Sequence, residues 1–262
     1  IMPISISVAS GTGGVGKTTI AVNLALTMAS LASKVTFLDA DFGLANAHLL
    51  MGYNPTATVR DAITGTRDLH DSITHGPFGL QLISGGNGLL DLLNLDQATR
   101  FNLIRSFDPL ADKCDVFFVD VPAGASDSSL AFVNASDKVL IVLVGEPTSF
   151  MDAYTMVKAA HLEGGVKEFS VVVNMAENEG QAKETFKKFQ TTASKFLDVN
   201  LGYVGFLPHS RKLRASIVKR KPLVLSDNKS RESLLFKSMS KKLLSSPTNT
   251  ASGITFFNKS KI

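Results

Sequence analysis

The stretch Gly11-Thr12-Gly13-Gly14-Val15-Gly16-Lys17-Thr18-Thr19 decides the fold. Gly11, four intervening residues and then Gly16-Lys17-Thr18 complete the phosphate-loop spacing G-x-x-x-x-G-K-[ST], which needs a strand before it and a helix after it. The sequence supplies both. Ile4–Ala9 is a short run rich in β-branched residues, and Thr19–Ala32 is a glycine-free apolar stretch of helical length. Glycines let the backbone curl until its N–H groups converge on phosphate oxygens. Lys17 adds a point charge near the outer phosphates, and Thr18 offers a hydroxyl to Mg²⁺. Gly11, Gly13, Gly14, Val15, Gly16, Lys17, Thr18 and Thr19 are therefore the expected nucleotide-binding residues, and a nucleoside triphosphate is the expected ligand.

Outward from the loop, continuous apolar runs alternate with helical stretches: Val35–Leu38, Leu80–Ile83, Val116–Val119, Val139–Val144, Val171–Val173 and Tyr203–Leu207. Between them fall Asp96–Phe107, Phe150–His161, Gln181–Phe196 and Ser230–Leu244. Apolar runs of this kind belong to a parallel sheet buried on both faces. The spacing predicts a three-layer α/β P-loop NTPase domain, mostly parallel, with helices on both faces and the site at the C-terminal edge of the strands.

Acidic residues stand where such a site needs them. Asp120 follows Val116–Val119, where a carboxylate can reach metal-bound water beside the loop, and Pro122-Ala123-Gly124 forms a turn suited to sensing the γ-phosphate. Asp39 and Asp41 follow Val35–Leu38 on one side of an extended chain. Asp39 and Asp120 are assigned to the waters of Mg²⁺, with Thr18 as direct ligand, and Asp41 to the attacking water. Asn174 ends Val171–Val173 and either reads an adenine edge or caps the next segment. Pro208-His209-Ser210 lies on the same rim and is placed to close over the base.

Composition limits the alternatives. The chain has 262 residues, 44% apolar, enough for one large α/β domain, and no apolar stretch long enough to span a bilayer. It opens on strand-like residues, so no signal peptide is read. The single cysteine, Cys114, excludes an internal disulfide or a multi-cysteine cluster within one chain and fits a reducing cytoplasm. The net charge of +4 hides a division. Residues 1–210 hold 14 Lys/Arg against 21 Asp/Glu, a balance of −7, and residues 211–262 hold 13 against 2, a balance of +11. Such asymmetry points the C-terminal end toward an anionic membrane surface or nucleic acid, the alternative being a solvated basic helix.

Gly13–Thr19, Asp39-Ala40-Asp41, Asp120 with Pro122-Ala123-Gly124, and Asn174 together resemble the MinD/ParA group of deviant Walker-A ATPases over about Ile4–Leu244. Within that group Asp39–Asn46, Gly79–Gly86 and Glu146-Pro147-Thr148-Ser149-Phe150-Met151-Asp152-Ala153-Tyr154 are similar to the flagellar-number regulators of FlhG/FleN type. The resemblance implies ATP and ADP as ligands with Mg²⁺, a homodimer sandwiching two nucleotides, and hydrolysis, expected to be slow here because of Thr12, with Lys17 and Asp41 as catalytic residues. It also implies a signal-recognition-type flagellar GTPase or another flagellar assembly protein as partner, and a cytoplasmic chain peripherally attached to the inner membrane. The group places a second, signature lysine where Thr12 stands here, a residue that reaches across the dimer like an arginine finger. Thr12 is too short and uncharged to do so, and a cation of that kind contributes about 10³–10⁵ in rate. Glu146 marks the dimer side of the site. Relatives also carry an activating segment ahead of the first strand, which this sequence does not show.

Beyond that range, relatives often end in an amphipathic membrane-targeting helix. Residues 1–244 read as the ATPase domain, 245–253 as a Ser/Thr/Asn/Pro-rich linker, and 254–262 as a detached tail. Phe256, Phe257, Lys259 and Lys261 give that tail the character of an interfacial membrane anchor. A DNA-partitioning ATPase, a cell-division-site selector and a non-hydrolysing nucleotide-bound scaffold are the competing readings. The paired phenylalanines place DNA behind lipid.

Overall fold

Eight strands join into one sheet in the computed structural model, which describes residues 2–41, 47–55, 57–63, 66–85, 96–250 and 253–257. The strands are β1 (Ile4–Ala9), β2 (Val35–Asp39), β3 (Ile73–His75), β4 (Gln81–Ser84), β5 (Val116–Asp120), β6 (Lys138–Val144), β7 (Glu168–Ala176) and β8 (Asn200–Pro208). Their order is β3-β4-β2-β5-β1-β6-β7-β8, and every pairing is parallel except β3 with β4. All of β2, β5 and β6 is buried, as helices on both faces require.

The described helices are α1 (Lys17–Ser30), α2 (Ala47–Met51), α3 (Val59–Ile63), α4 (Gln97–Arg105), α5 (Asp127–Ala135), α6 (Pro147–Gly164), α7 (Glu179–Phe196), α8 (Arg211–Val218), α9 (Leu223–Ser226) and α10 (Arg231–Ser245). One face of the sheet packs against α1, α2, α8 and α10 through Ile20, Leu24, Phe37, Phe118, Leu213, Phe236 and Met239. The other packs against α4–α7 through Leu103, Phe117, Val133, Met156 and Phe189. Side-chain oxygens cap five of these helices: Asp96 receives Thr99 N–H, Ser126 receives Ser129, Asn178 receives Gln181, Ser210 receives Leu213, and Ser230 receives Ser233.

The C-terminal segment differs from the sequence expectation. Phe256 and Phe257 are fully buried rather than carried on a detached tail. Their rings lie 5.1 and 5.3 Å from Phe117, and the N–H of Phe256 donates to the carbonyl of Ala135 at 3.0 Å. Phe107 stands 6.0 Å from Phe256, completing an aromatic cluster. Burying such a ring is worth about 1.5–3 kcal/mol relative to leaving it exposed.

The 245–253 stretch is likewise pinned where it is described. The Asn249 N–H donates to Asp137 O at 2.8 Å, and its Oδ1 accepts from the N–H groups of Lys167 and Glu168 at 3.0 and 2.9 Å. Lys138, buried and with its pKa lowered by that burial, donates to Leu244 O at 3.1 Å and to Ser246 O. Lys259 and Lys261 lie outside the described residues, as do Phe42–Asn46 and Gly86 of the family-like segments.

Candidate functional site

Parallel register brings the acidic residues together. Val8 on β1 and Asp39 on β2 both stand beside Asp120 on β5, so two carboxylates end neighbouring strands where β1 turns into the glycine loop. The loop leads directly into α1, whose first residue is Lys17, with Gly16 as its cap in the left-handed region at φ 84°. Only a residue without Cβ takes that conformation easily.

Lys17 is buried and its ammonium pairs with Asp120 Oδ1. The second oxygen of Asp120 is buried without a hydrogen-bond partner among the described residues. Asp39 is also buried, and its two oxygens accept the N–H groups of Asp41 at 3.2 Å and Ala47 at 2.8 Å. Burial, reinforced by the neighbouring Asp120 charge, raises the Asp39 pKa to about 7. One ammonium thus faces two carboxylates, one of them with an oxygen left over. That surplus of buried acceptors fits a divalent cation, with Thr18 nearby on α1 and half-buried. Bound there, Mg²⁺ would neutralise charge developing on a transferred phosphoryl group.

The raised Asp39 pKa has a consequence for stability. Between about pH 4 and pH 7 the folded chain holds a proton on Asp39 that the unfolded chain has released. The contribution is therefore full below the unfolded pKa of 3.8 and is lost as pH rises through about 7. In Mg²⁺-free buffer the urea midpoint of Asp39→Asn minus that of the natural chain is expected to grow from pH 4.5 to pH 7.5. A constant difference would contradict this assignment.

The rest of the loop is fastened from three sides. Ser10 Oγ donates to the carbonyl of Thr12 at 2.9 Å. The Gly124 N–H donates to Ser10 O at 2.9 Å, tying the turn after Asp120 to the loop. At Gly11 a Cβ would overlap the backbone of Asp152 and Ala153 on α6, so this glycine serves close packing against a helix. Loop spacing alone predicts only curvature at Gly11, not this contact.

Beside the loop opens a cavity of about 380 Å³ lined by Gly16, Thr19, Asn174, Pro208, Leu213 and Ile217, among others. Asn174 and Pro208, proposed from sequence for the base, both line it. Leu213 and Ile217, from α8, supply apolar walls that no motif announced. Asn174 Nδ2 donates to the Val15 carbonyl at 2.8 Å, which joins the cavity to the loop. Gly13 and Gly14 are exposed at the loop's tip, Val15 is buried beneath it, and Thr12 and Asp41 are half-buried. Glu146, exposed, immediately precedes Pro147 at the start of α6.

Cys114 is buried, 3.5 Å from the Leu110 carbonyl, and burial pushes its thiol up to about 11. Among the described residues no group of three His, Cys, Asp or Glu side chains is arranged to hold a metal by itself. Nor is any helix of these residues long and apolar enough to cross a membrane.

Comparison with known proteins agrees with this geometry. A family model described as an AAA domain matches residues 4–162, and one described as the NUBPL iron-transfer P-loop NTPase of ParA type matches residues 102–244. Antiactivator FleN of Pseudomonas aeruginosa is 37% identical over 96% of this chain and 91% of its own. Flagellum site-determining protein YlxH of Helicobacter pylori is 30% identical over 83% of this chain and 74% of its own. Among solved structures, the cell-division ATPase MinD of Pyrococcus furiosus superposes with TM-score 0.75 at 23% identity, covering 93% of this chain and 99% of that one. MinD of Pyrococcus horikoshii, complexed with Mg-ADP, gives 0.74 at 22% identity over 92% and 96%. With its phosphate loop, its paired strand-end carboxylates and this fold, the chain belongs to the MinD/ParA family of P-loop ATPases, on the FleN-like branch.

Proposed function

We propose that the chain is an ATP-binding switch that dimerises around Mg-ATP, associates with membrane in that state, hydrolyses slowly, and regulates flagellar number or placement. The observation that carries the nucleotide part is the buried Lys17–Asp120 pair beside Asp39 at the mouth of the glycine loop. Lys17 would turn to the outer phosphates, and the loop amides would bind the remaining oxygens. Thr18 would ligate Mg²⁺, with Asp39 and Asp120 holding its waters. Asp41, half-buried two residues beyond the end of β2, is the group proposed to orient the attacking water. The flagellar part rests on the likeness to FleN and YlxH, and a signal-recognition-type GTPase or another flagellar assembly protein is the proposed partner.

Slow hydrolysis follows from Thr12. A cation supplied across a dimer stabilises transition-state charge, and threonine supplies none. Light scattering is expected to give a dimer with Mg-ATP and a monomer with Mg-ADP. A monomer in both would remove the switch and favour a nucleotide-bound scaffold. Thr12→Lys is expected to raise turnover by about 10³-fold, the lower end of what such a cation contributes. Equal rates would show that the residue at position 12 does not limit hydrolysis.

A cytoplasmic chain held peripherally at the inner membrane is proposed, with the anionic contact on α8 and the turn after it. Arg211, Arg214, Lys219, Arg220 and Lys221 are exposed there around Ile217 and Val218, the latter 78% exposed. Cations around aliphatic side chains suit an anionic bilayer better than a DNA groove. Phe256 and Phe257 could join that contact only after leaving the core.

A further inference from the structure

Asn174 stands where the base cavity meets the phosphate loop, and its hydrogen bond to the Val15 carbonyl is built into the local backbone. Strand β7 changes register against β8 between Val173 and Ala176, and Met175 takes a left-handed conformation at φ 55°. A non-glycine residue holds that conformation only where its surroundings impose it. An irregularity of this kind re-aims a side chain, here the carboxamide just before it.

Gly16 completes the arrangement. A Cβ on Gly16 would sit 2.5 Å from Asn174 Nδ2, so the carboxamide reaches the loop only because that position is glycine. The partner is a carbonyl, so the amide nitrogen must face it, leaving Oδ1 as the free acceptor beside the cavity. The peptide between Val15 and Gly16 is planar and trans, so fixing its carbonyl fixes its N–H in the opposite direction. That N–H therefore points away from Asn174, and among the described residues no backbone partner takes it, so it is available to an anion.

We propose that Asn174 is a positioning residue for the phosphate loop, holding the Val15–Gly16 peptide in an anion-receiving orientation before any nucleotide arrives. Asn174 then serves the triphosphate as well as the base, and base recognition is linked to loop shape through one side chain. The proposal rests on the reading of Gly11–Thr19 as a triphosphate site and adds a role that a base-reading residue would not have.

Inorganic tripolyphosphate separates the two roles, because it carries the anion and no base. Calorimetric titration of the full chain with Mg²⁺ would compare ATP and tripolyphosphate on the natural protein, Asn174→Ala and Asn174→Leu. The leucine variant keeps the side-chain volume without the donor. Both variants are expected to lose about fivefold or more in tripolyphosphate affinity, the equivalent of one net hydrogen bond. The amide resonances of Val15–Lys17 are expected to shift in the free Asn174→Leu protein, at a thermal midpoint close to that of the natural chain. Variants that lose ATP affinity but keep tripolyphosphate affinity, or that leave those resonances in place, would overturn the positioning role. A natural chain that binds neither ligand would instead overturn the nucleotide reading itself.

Discussion

Replacing Lys17 by alanine is expected to abolish measurable ATP binding and to lower the stability of the free chain by about 3–5 kcal/mol, the cost of stranding one partner of a buried ion pair. The two effects have different origins. Binding is lost because Lys17 is the cation of the phosphate loop. Stability is lost because Asp120, fully buried beside Asp39, then has no opposite charge among its described neighbours. The double variant Lys17→Ala, Asp120→Ala separates them. It removes both charges together, so it should recover much of the stability while remaining unable to bind ATP. Urea unfolding and calorimetry on the three proteins are sufficient. A Lys17→Ala protein as stable as the natural chain would mean that the pair does not form in solution.

The second large effect is expected at the C-terminus. Truncating Phe256 or Phe257 to alanine should destabilise the chain by about 3–5 kcal/mol each, the range for a phenylalanine removed from a packed core. The two are not independent, since their ring centroids are 6.3 Å apart and both touch Phe117, so the double variant should fall short of the sum. A free tail would behave differently, because exposed substitutions rarely change stability by more than about 0.5 kcal/mol. Denaturant midpoints of the two single variants decide between these pictures. Unchanged midpoints would return both rings to solvent and restore the interfacial anchor read from the sequence.

The contrast between these two sites shows what the sequence made legible. The glycine loop, Asp39 and Asp120 were readable because their chemistry depends on fixed spacing and on strand ends that apolar runs announce. Parallel architecture was readable for the same reason, since Val116–Val119 and Val139–Val144 have no polar face. Phe256 and Phe257 were not, because the polar run before them has linker composition. What tethers that run is one residue, Asn249, whose N–H bonds the Asp137 carbonyl and whose carboxamide bonds backbone groups of Lys167 and Glu168, all far away in sequence. Strand β3 escaped notice because three residues, two of them polar, carry no periodicity. The bond from Asn174 to Val15 depends on the left-handed backbone at Met175, and no local rule assigns that conformation to methionine.

The place of β1 in the sheet bears on how the site can vary. To one side, β5 and β2 carry the carboxylates; to the other, β7 and β8 carry Asn174 and Pro208. On the proposed assignment, chemistry at the phosphates and recognition of the base would reside on separate flanks of one central strand. If the proposed roles hold, substitutions around Leu213, Ile217 or Pro208 would retune which base is accepted while leaving Asp39 and Asp120 untouched, and changes at Thr12 or Asp41 would alter turnover without altering base preference. Turnover and base preference would then be separable along the scaffold, with Asn174 and Val15 as the seam between them.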